Sequence, residues 1–213
     1  MEIYNQTKQK DTKYACTVYT FLNIMLLDYW VRIKDNYAIK FVYYLEKVGA
    51  LILTQWAVFS VIYPIMVKYV NVRYWINLKI KTSSISQGLD DSSSWSLWLK
   101  KLTIKWQKLW TSDWEFTKED VDQAVKFNNA YWHNHLWKKW VIVDSYGAVN
   151  YRCDLETLKY WVKKDLYYDT WRAIIPADTF TETLKNTLIE KARNSKRAAT
   201  EEELFYIIKN MRW

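Results

Sequence analysis

Glycine is nearly missing from this chain, with 3 in 213 residues, against the roughly 15 that ordinary usage of about 7% would supply. Proline, cysteine and histidine are equally sparse, with 2 of each. Two cysteines, Cys16 and Cys153, build no disulfide framework and cannot alone furnish a four-ligand zinc site. A reducing compartment is the simpler expectation. The first ten residues are polar and hold no cationic segment leading into an apolar run, so no secretory leader is expected. Residues 48–67 carry no charge and approach the length of a membrane span. However, Thr54, Gln55, Ser60, Tyr63 and Pro64 interrupt that run, and a buried pair of soluble helices is expected there instead. Charge of one sign is not concentrated anywhere. The net charge is +8, but the lysines and arginines are scattered and interleaved with acids, which describes a solvated surface better than a nucleic-acid interface.

Tryptophan is present in excess, with 14 residues. It stands where turn chemistry favours glycine: in the Ser-rich stretch at Trp95 and Trp98, after Ser112-Asp113 as Trp114, on both sides of Lys138-Lys139, and at the terminal Trp213. Bulky aromatics are poor turn residues, because turns often require φ > 0 or close backbone approach. The pattern predicts that many of these tryptophans correspond to UGA codons read natively as glycine. The alternative is a protein that is simply rich in tryptophan.

Half the residues are hydrophobic, enough for one sizeable core or two small lobes at this length. A polar arm, residues 1–13, precedes an almost continuously apolar segment, 14–30, whose all-round hydrophobicity predicts a buried central helix. Further helices are expected over 36–48, stopped by Gly49, and over 57–69, broken near Pro64. Residues 75–81 alternate apolar and polar, as a strand does. Residues 82–96 are rich in Ser and Asp and form the linker candidate. Leu102, Ile104 and Trp106 alternate again. Thr117 and Asp120 resemble a capping box, 132–153 reads as hairpin-connected strands, and Asp154 can cap a helix through Lys164. A strand over 171–175 and two C-terminal helices follow, the second announced by Thr200 and Glu203. Helices first and strands later predict an α+β protein. The expected divisions are a helical lobe at 1–81, a linker at 82–96, a β-rich lobe at 97–176 and a helical extension at 177–213.

Cys16 falls near the start of the predicted central helix, where free N–H groups favour a thiolate. The two histidines, His133 and His135, lie shortly before Val141-Ile142-Val143-Asp144. If Lys138 and Lys139 form a two-residue hairpin loop, residue 133 lies directly opposite 144, with Cβ atoms about 4.5–5.5 Å apart. His135 would then oppose Ile142, so His133 is preferred as the base and His135 is the alternative. Cys16 would supply the nucleophile, His133 the proton transfer and Asp144 the orientation of the ring. Gln6 or Gln9 would complete an oxyanion hole with the Cys16 backbone N–H.

Asn5-Gln6 ahead of a cysteine that opens a long helix resembles the first half of a papain-family cysteine peptidase. Asp144-Ser145-Tyr146-Gly147 is similar to that family's Asn-Ser-Trp-Gly, and Trp132-His133 becomes its Gly-His if position 132 is a recoded glycine. The resemblance implies a papain-like fold, a peptide or protein substrate, and a Cys–His–Asp triad with neither cofactor nor metal. It departs from the family at Tyr-Ala-Cys-Thr around the nucleophile, at Asp144 in place of Asn, and in the Gln spacing. A monomer that binds no nucleic acid, cytoplasmic or virion-associated in a bacterium or phage, is the accompanying expectation. An inactive papain-like binding domain, an acyl transferase to amines, and a membrane-associated basic protein are the alternatives. Trp56, in the expected first lobe, would obstruct the cleft if it is truly tryptophan.

Overall fold

The apolar run after Tyr14 forms helix α1, Cys16–Tyr29, in which every residue except Leu27 is buried. The computed structural model describes residues 3–5, 15–33, 35–47, 59–84, 87–89, 92–100, 115–126, 132–145, 149–165, 171–178 and 182–194. A helix apolar on all sides must be enclosed on all sides, and α1 lies at the centre of the larger core. Even the polar N-terminal arm contributes to this enclosure. Ile3 and Tyr4 are buried, and the Tyr4 N–H donates to Asn23 Oδ1 on α1 at 2.8 Å.

Helix α1 ends at Trp30, which adopts the left-handed conformation (φ 57°). Its N–H reaches the Leu26 carbonyl at 3.2 Å, the single closing bond of an αL cap, and the Val31 N–H reaches the Met25 carbonyl at 3.1 Å. Helix α2 follows at Asp35–Lys47. Helix α3 spans Phe59–Tyr74 and runs through Pro64, where the sequence predicts a break. Ile62, Tyr63, Ile65 and Met66 are all buried around the exposed proline, so packing outweighs the missing backbone donor. Trp75 closes α3 in the left-handed region (φ 54°), with the Ile76 N–H on the Asn71 carbonyl at 3.2 Å. The Asn71 side chain then holds both backbone groups of Leu78, at 2.8 and 2.9 Å. The strand expected from 75 therefore starts at Leu78. Among the described residues, no helix is long and apolar enough to cross a membrane.

The strands are β1, Leu78–Ser83; β2, Trp95–Lys100; β3, Trp132–Lys138; β4, Val141–Asp144; β5, Val149–Arg152; and β6, Trp171–Pro176. Helices α4, Lys118–Lys126, and α5, Leu155–Asp165, precede and follow the β3–β5 meander, and α6 is Glu182–Asn194. The strands form one open antiparallel sheet in the order β1-β6-β2-β3-β4-β5. The fold is thus a mixed α+β arrangement. β6 returns late in the chain to lie between β1 and β2, so a strand from the expected helical lobe joins the same sheet as the later strands. The Ser/Asp-rich segment at 82–96 includes the end of β1 and the start of β2. The alternation at 102–106, Gly49 and the helix announced by Thr200 lie outside the described residues.

Side-chain alternation divides the sheet between two cores. Leu136, Val143 and Ile174 face the cluster built on α1, α2 and α3. Trp95, Trp137, Ile142, Trp171 and Ala173 face a second cluster completed by Phe116, Val121, Leu158 and Trp161 from α4, α5 and their approaches. Trp95, Trp137, Trp161 and Trp171 are fully buried. Trp95 and Trp137, which look misplaced in the sequence, are therefore core residues. Both helix starts on this side are capped as expected. The Thr117 N–H donates to Asp120 Oδ2 at 3.0 Å while Thr117 Oγ1 accepts from the Asp120 N–H at 3.3 Å. Asp154 Oδ1 accepts the Thr157 N–H at 2.6 Å.

Removing a buried aromatic leaves a cavity, whereas removing a cap frees only one amide. Trp137→Ala should therefore cost about 3–5 kcal/mol and Asp154→Ala about 1 kcal/mol. Urea denaturation with unchanged m-values measures both.

Candidate active site

Helix α1 and strand β3 run side by side in the same direction. Thr20 Oγ1 donates to the Asn134 carbonyl at 3.0 Å. Eight residues on, Asp28 accepts the ammonium of Lys138, which also reaches the Leu27 carbonyl at 3.3 Å. Eight helical residues rise about 12 Å and four strand residues about 13 Å, so the two elements advance in step. Asp28 is further held by the Ser94 N–H and hydroxyl, at 2.9 and 2.8 Å. One helical turn back from Thr20 is Cys16, and the strand residue before Asn134 is His133. The docking of helix on strand thus delivers the first residue of α1 to the first histidine of β3.

The β3–β4 hairpin differs from the expected one. Its turn is Lys139-Trp140, with φ values of 45° and 71°, the two left-handed positions of a type I′ turn. The ladder pairs Leu136 with Val143, Trp137 with Ile142 and Lys138 with Val141. This register is displaced by two residues from the one predicted with a Lys138-Lys139 loop. Because side chains alternate with period two, a two-residue displacement changes neighbours without changing faces. His133 and Asp144 remain on one face as diagonal neighbours, and continuing the ladder places His135 across from Asp144. The carboxylate nevertheless reaches His133, with Asp144 Oδ1 2.7 Å from His133 Nε2. Diagonal pairs lie within reach of side chains of this length.

Cys16, at the start of α1, is near enough to His133 to act on the imidazole through its charge and a side-chain hydrogen bond. Burial is the largest single influence on His133 and by itself would lower its pKa. The charges of Asp144 and Cys16, with their hydrogen bonds, outweigh it and push the pKa up to about 9. The imidazole is therefore held in its cationic form through neutral pH. Cys16, His133 and Asp144 are all buried.

Cys16 opens α1, and the first intrahelical bond is Tyr19 N–H to the Ala15 carbonyl at 3.1 Å. The amides of residues 16–18 precede that bond, and Ala15 contributes no side-chain cap. The helix start therefore presents donors and positive potential beside the sulfur. Gln6 and Gln9, the expected oxyanion donors, lie outside the described residues, as do Trp56, Trp114, Tyr146, Gly147 and Trp213. The second cysteine has a different environment. Cys153 sits in the second core, and burial, followed by the charges of Asp154 and Glu115, pushes its thiol far above the usual range.

The site has a wall that the sequence did not disclose. The His135 ring lies 4.9 Å from His133 at 79° and 5.6 Å from Trp161. Trp161 packs on Phe116 at 4.9 Å, and Phe116 on Tyr151 at 5.6 Å. These residues come from β3, α5, the approach to α4 and β5, so no local pattern links them. One ligand atom from each of His133, His135 and Asp144 falls within a 4.8 Å group. Two imidazoles and a carboxylate suit a zinc-class ion, but such an ion would have to replace the proton shared by His133 and Asp144.

Compared with family models, with curated proteins and with solved structures, the chain matches none.

The elevated His133 pKa has a defined consequence for stability. The folded protein binds this proton more tightly than the unfolded chain, whose histidine titrates near 6.5. The contribution is therefore complete below pH 6.5 and is lost as pH rises through about 9. Unfolding free energy should fall by on the order of 3 kcal/mol between pH 6 and pH 10, and His133→Gln should flatten that fall. Denaturant titrations at several pH values test this.

Proposed function

We propose that the protein is a papain-like cysteine peptidase that cleaves peptide bonds through Cys16, His133 and Asp144. The observation that carries this reading is one buried imidazole held by a carboxylate at 2.7 Å and acted on by a thiol at a helix N-terminus. Cys16 Sγ, as thiolate, attacks the scissile carbonyl carbon, and the oxyanion that forms is met by amides at the start of α1. The C–N bond then breaks, and the leaving amine takes the proton held by His133, leaving a thioester on Cys16. Neutral His133 next takes a proton from water. The resulting hydroxide attacks the thioester, and the carboxylic acid departs as the thiolate–imidazolium pair is restored. Asp144 fixes the ring and stabilises its cationic form throughout. Acyl transfer to an amine uses the same first half and differs only in the second acceptor.

One observation favours a second reading. Cys16 is 4% exposed, as expected of a papain-like domain that binds partners without cleaving them. Reactivity of the thiol separates the two readings.

Intact-mass labelling with iodoacetamide at about pH 5.5, where an ordinary thiol is almost wholly protonated, gives the decision. The peptidase reading expects rapid single labelling, abolished in Cys16→Ala and slowed about 100-fold or more in His133→Ala. Slow labelling that is unaffected by His133→Ala would leave the binding domain. Cys153 should remain unmodified until the protein unfolds.

A further inference from the structure

We infer that His135 is a positioning residue, which holds the His133 ring in line between Cys16 and Asp144. The inference rests on the proposed thiol chemistry. To bond on both sides at once, an imidazole must keep its plane in the line from sulfur to carboxylate. Asp144 Oδ1 fixes one end of that line at Nε2, 2.7 Å away, but two in-line bonds leave rotation about the line unopposed. His135, two residues along β3 and on the same face, meets the His133 ring edge to face. Trp161 stands behind His135, and Phe116 and Tyr151 stand behind Trp161. All of these rings are buried, so the stack cannot yield without opening the second core. A ring nitrogen of His135 also lies within 4.8 Å of an Asp144 carboxylate oxygen. A small side chain at 135 would leave a space the size of an imidazole beside His133, into which the ring could rotate or water could enter.

The test compares His135→Phe, which preserves the ring, with His135→Ala. His135→Leu serves in the same role if the alanine variant does not fold. Two readouts are needed: iodoacetamide labelling at about pH 5.5, and the downfield imidazole N–H proton resonance of the His133–Asp144 hydrogen bond. The second does not require an active thiol. His135→Phe should label within about threefold of the parent and keep the resonance. His135→Ala or His135→Leu should label about 10- to 100-fold more slowly and lose it, and on a peptide substrate the loss should fall on kcat rather than KM. Parent-like labelling and resonance in the alanine or leucine variant would overturn the inference. So would a phenylalanine variant as impaired as alanine, which would mean that the ring nitrogens rather than the ring shape are used. If the parent shows the resonance, lost on His135→Ala and kept on His135→Phe, but no fast thiol, then the peptidase reading fails and the positioning role stands.

Backbone conformation carries a second, independent inference. Among the described residues, four other than glycine have left-handed φ, and three of them are tryptophan: Trp30, Trp75 and Trp140. Each stands at a position glycine favours, two closing helices and one completing a type I′ turn. Each is also largely exposed, at 53%, 83% and 59%. Gly88 shares the same backbone region, at φ 82°. By contrast, Trp95, Trp137, Trp161 and Trp171 are fully buried and have no such φ. We infer that positions 30, 75 and 140 are glycine in the native protein, decoded from UGA, and that the four buried positions are true tryptophan.

The gene's codons test this directly: UGA at 30, 75 and 140 and UGG at 95, 137, 161 and 171 is the expected result. UGG at the first three would overturn it. A physical test is independent of the gene. Trp30→Gly, Trp75→Gly and Trp140→Gly should each raise Tm by about 2–4 °C, whereas Trp171→Gly should lower it sharply. A triple glycine variant no more stable than its parent would overturn the conformational basis.

Discussion

Everything else in this molecule depends on one long buried helix lying along one strand. Helix α1 has almost no polar surface to offer water, so it can fold only if enclosed, and the arm at Ile3 and Tyr4, helix α3 and the sheet enclose it. Hydrophobic burial alone does not fix how far a helix slides along a strand. The polar contacts do that: Thr20 on the Asn134 carbonyl at one end, and Asp28 between Lys138 and Ser94 at the other. Shifting α1 by one residue along its axis would strand the buried Asp28 carboxylate, which costs several kcal/mol when unpaired. The position of Cys16 follows from these two anchors.

The electrostatics of the site follow from the same burial. In a low-dielectric interior, removing the imidazolium from water opposes its charge, while a carboxylate at hydrogen-bond distance and a neighbouring sulfur favour it. For His133 the favourable side prevails. Cys153 shows the opposite result. It too is buried, but its charged neighbours are carboxylates, and its thiol is held in the neutral form. The two cysteines are chemically alike in sequence and are distinguished by what the fold places beside them.

Local chemistry was legible where it depends on near neighbours. The extent of α1, the caps at Thr117 and Asp154, the meander of β3 to β5 and the strand at 171 all follow from runs, periods and capping residues a few positions apart. The candidate site was partly legible for the same reason. His133 and Asp144 are 11 residues apart, and any tight hairpin between them with the same parity puts them on one face. The turn itself was misplaced by one residue. Lys138-Lys139 looked like the polar loop, whereas the left-handed pair is Lys139-Trp140. The period of two preserved the face and changed only which histidine stood directly across from Asp144.

Other features were beyond the reach of any window along the chain. The insertion of β6 between β1 and β2 joins segments 76–98 residues apart, and it makes one sheet of what reads as two lobes. The continuity of α3 through Pro64 was decided by burial on both sides of the proline. The aromatic wall behind His133 draws single residues from four separate elements, each of which alone reads only as hydrophobic. The sequence by itself determined which segments must be buried, where helices begin, and which face of the hairpin carries the histidines, because these depend on side-chain period and local hydrogen bonding. The tertiary structure decided which of two histidines meets the carboxylate and which of two cysteines meets the histidine. Those choices depend on distances of a few ångströms between elements, which are fixed only when the whole core is packed.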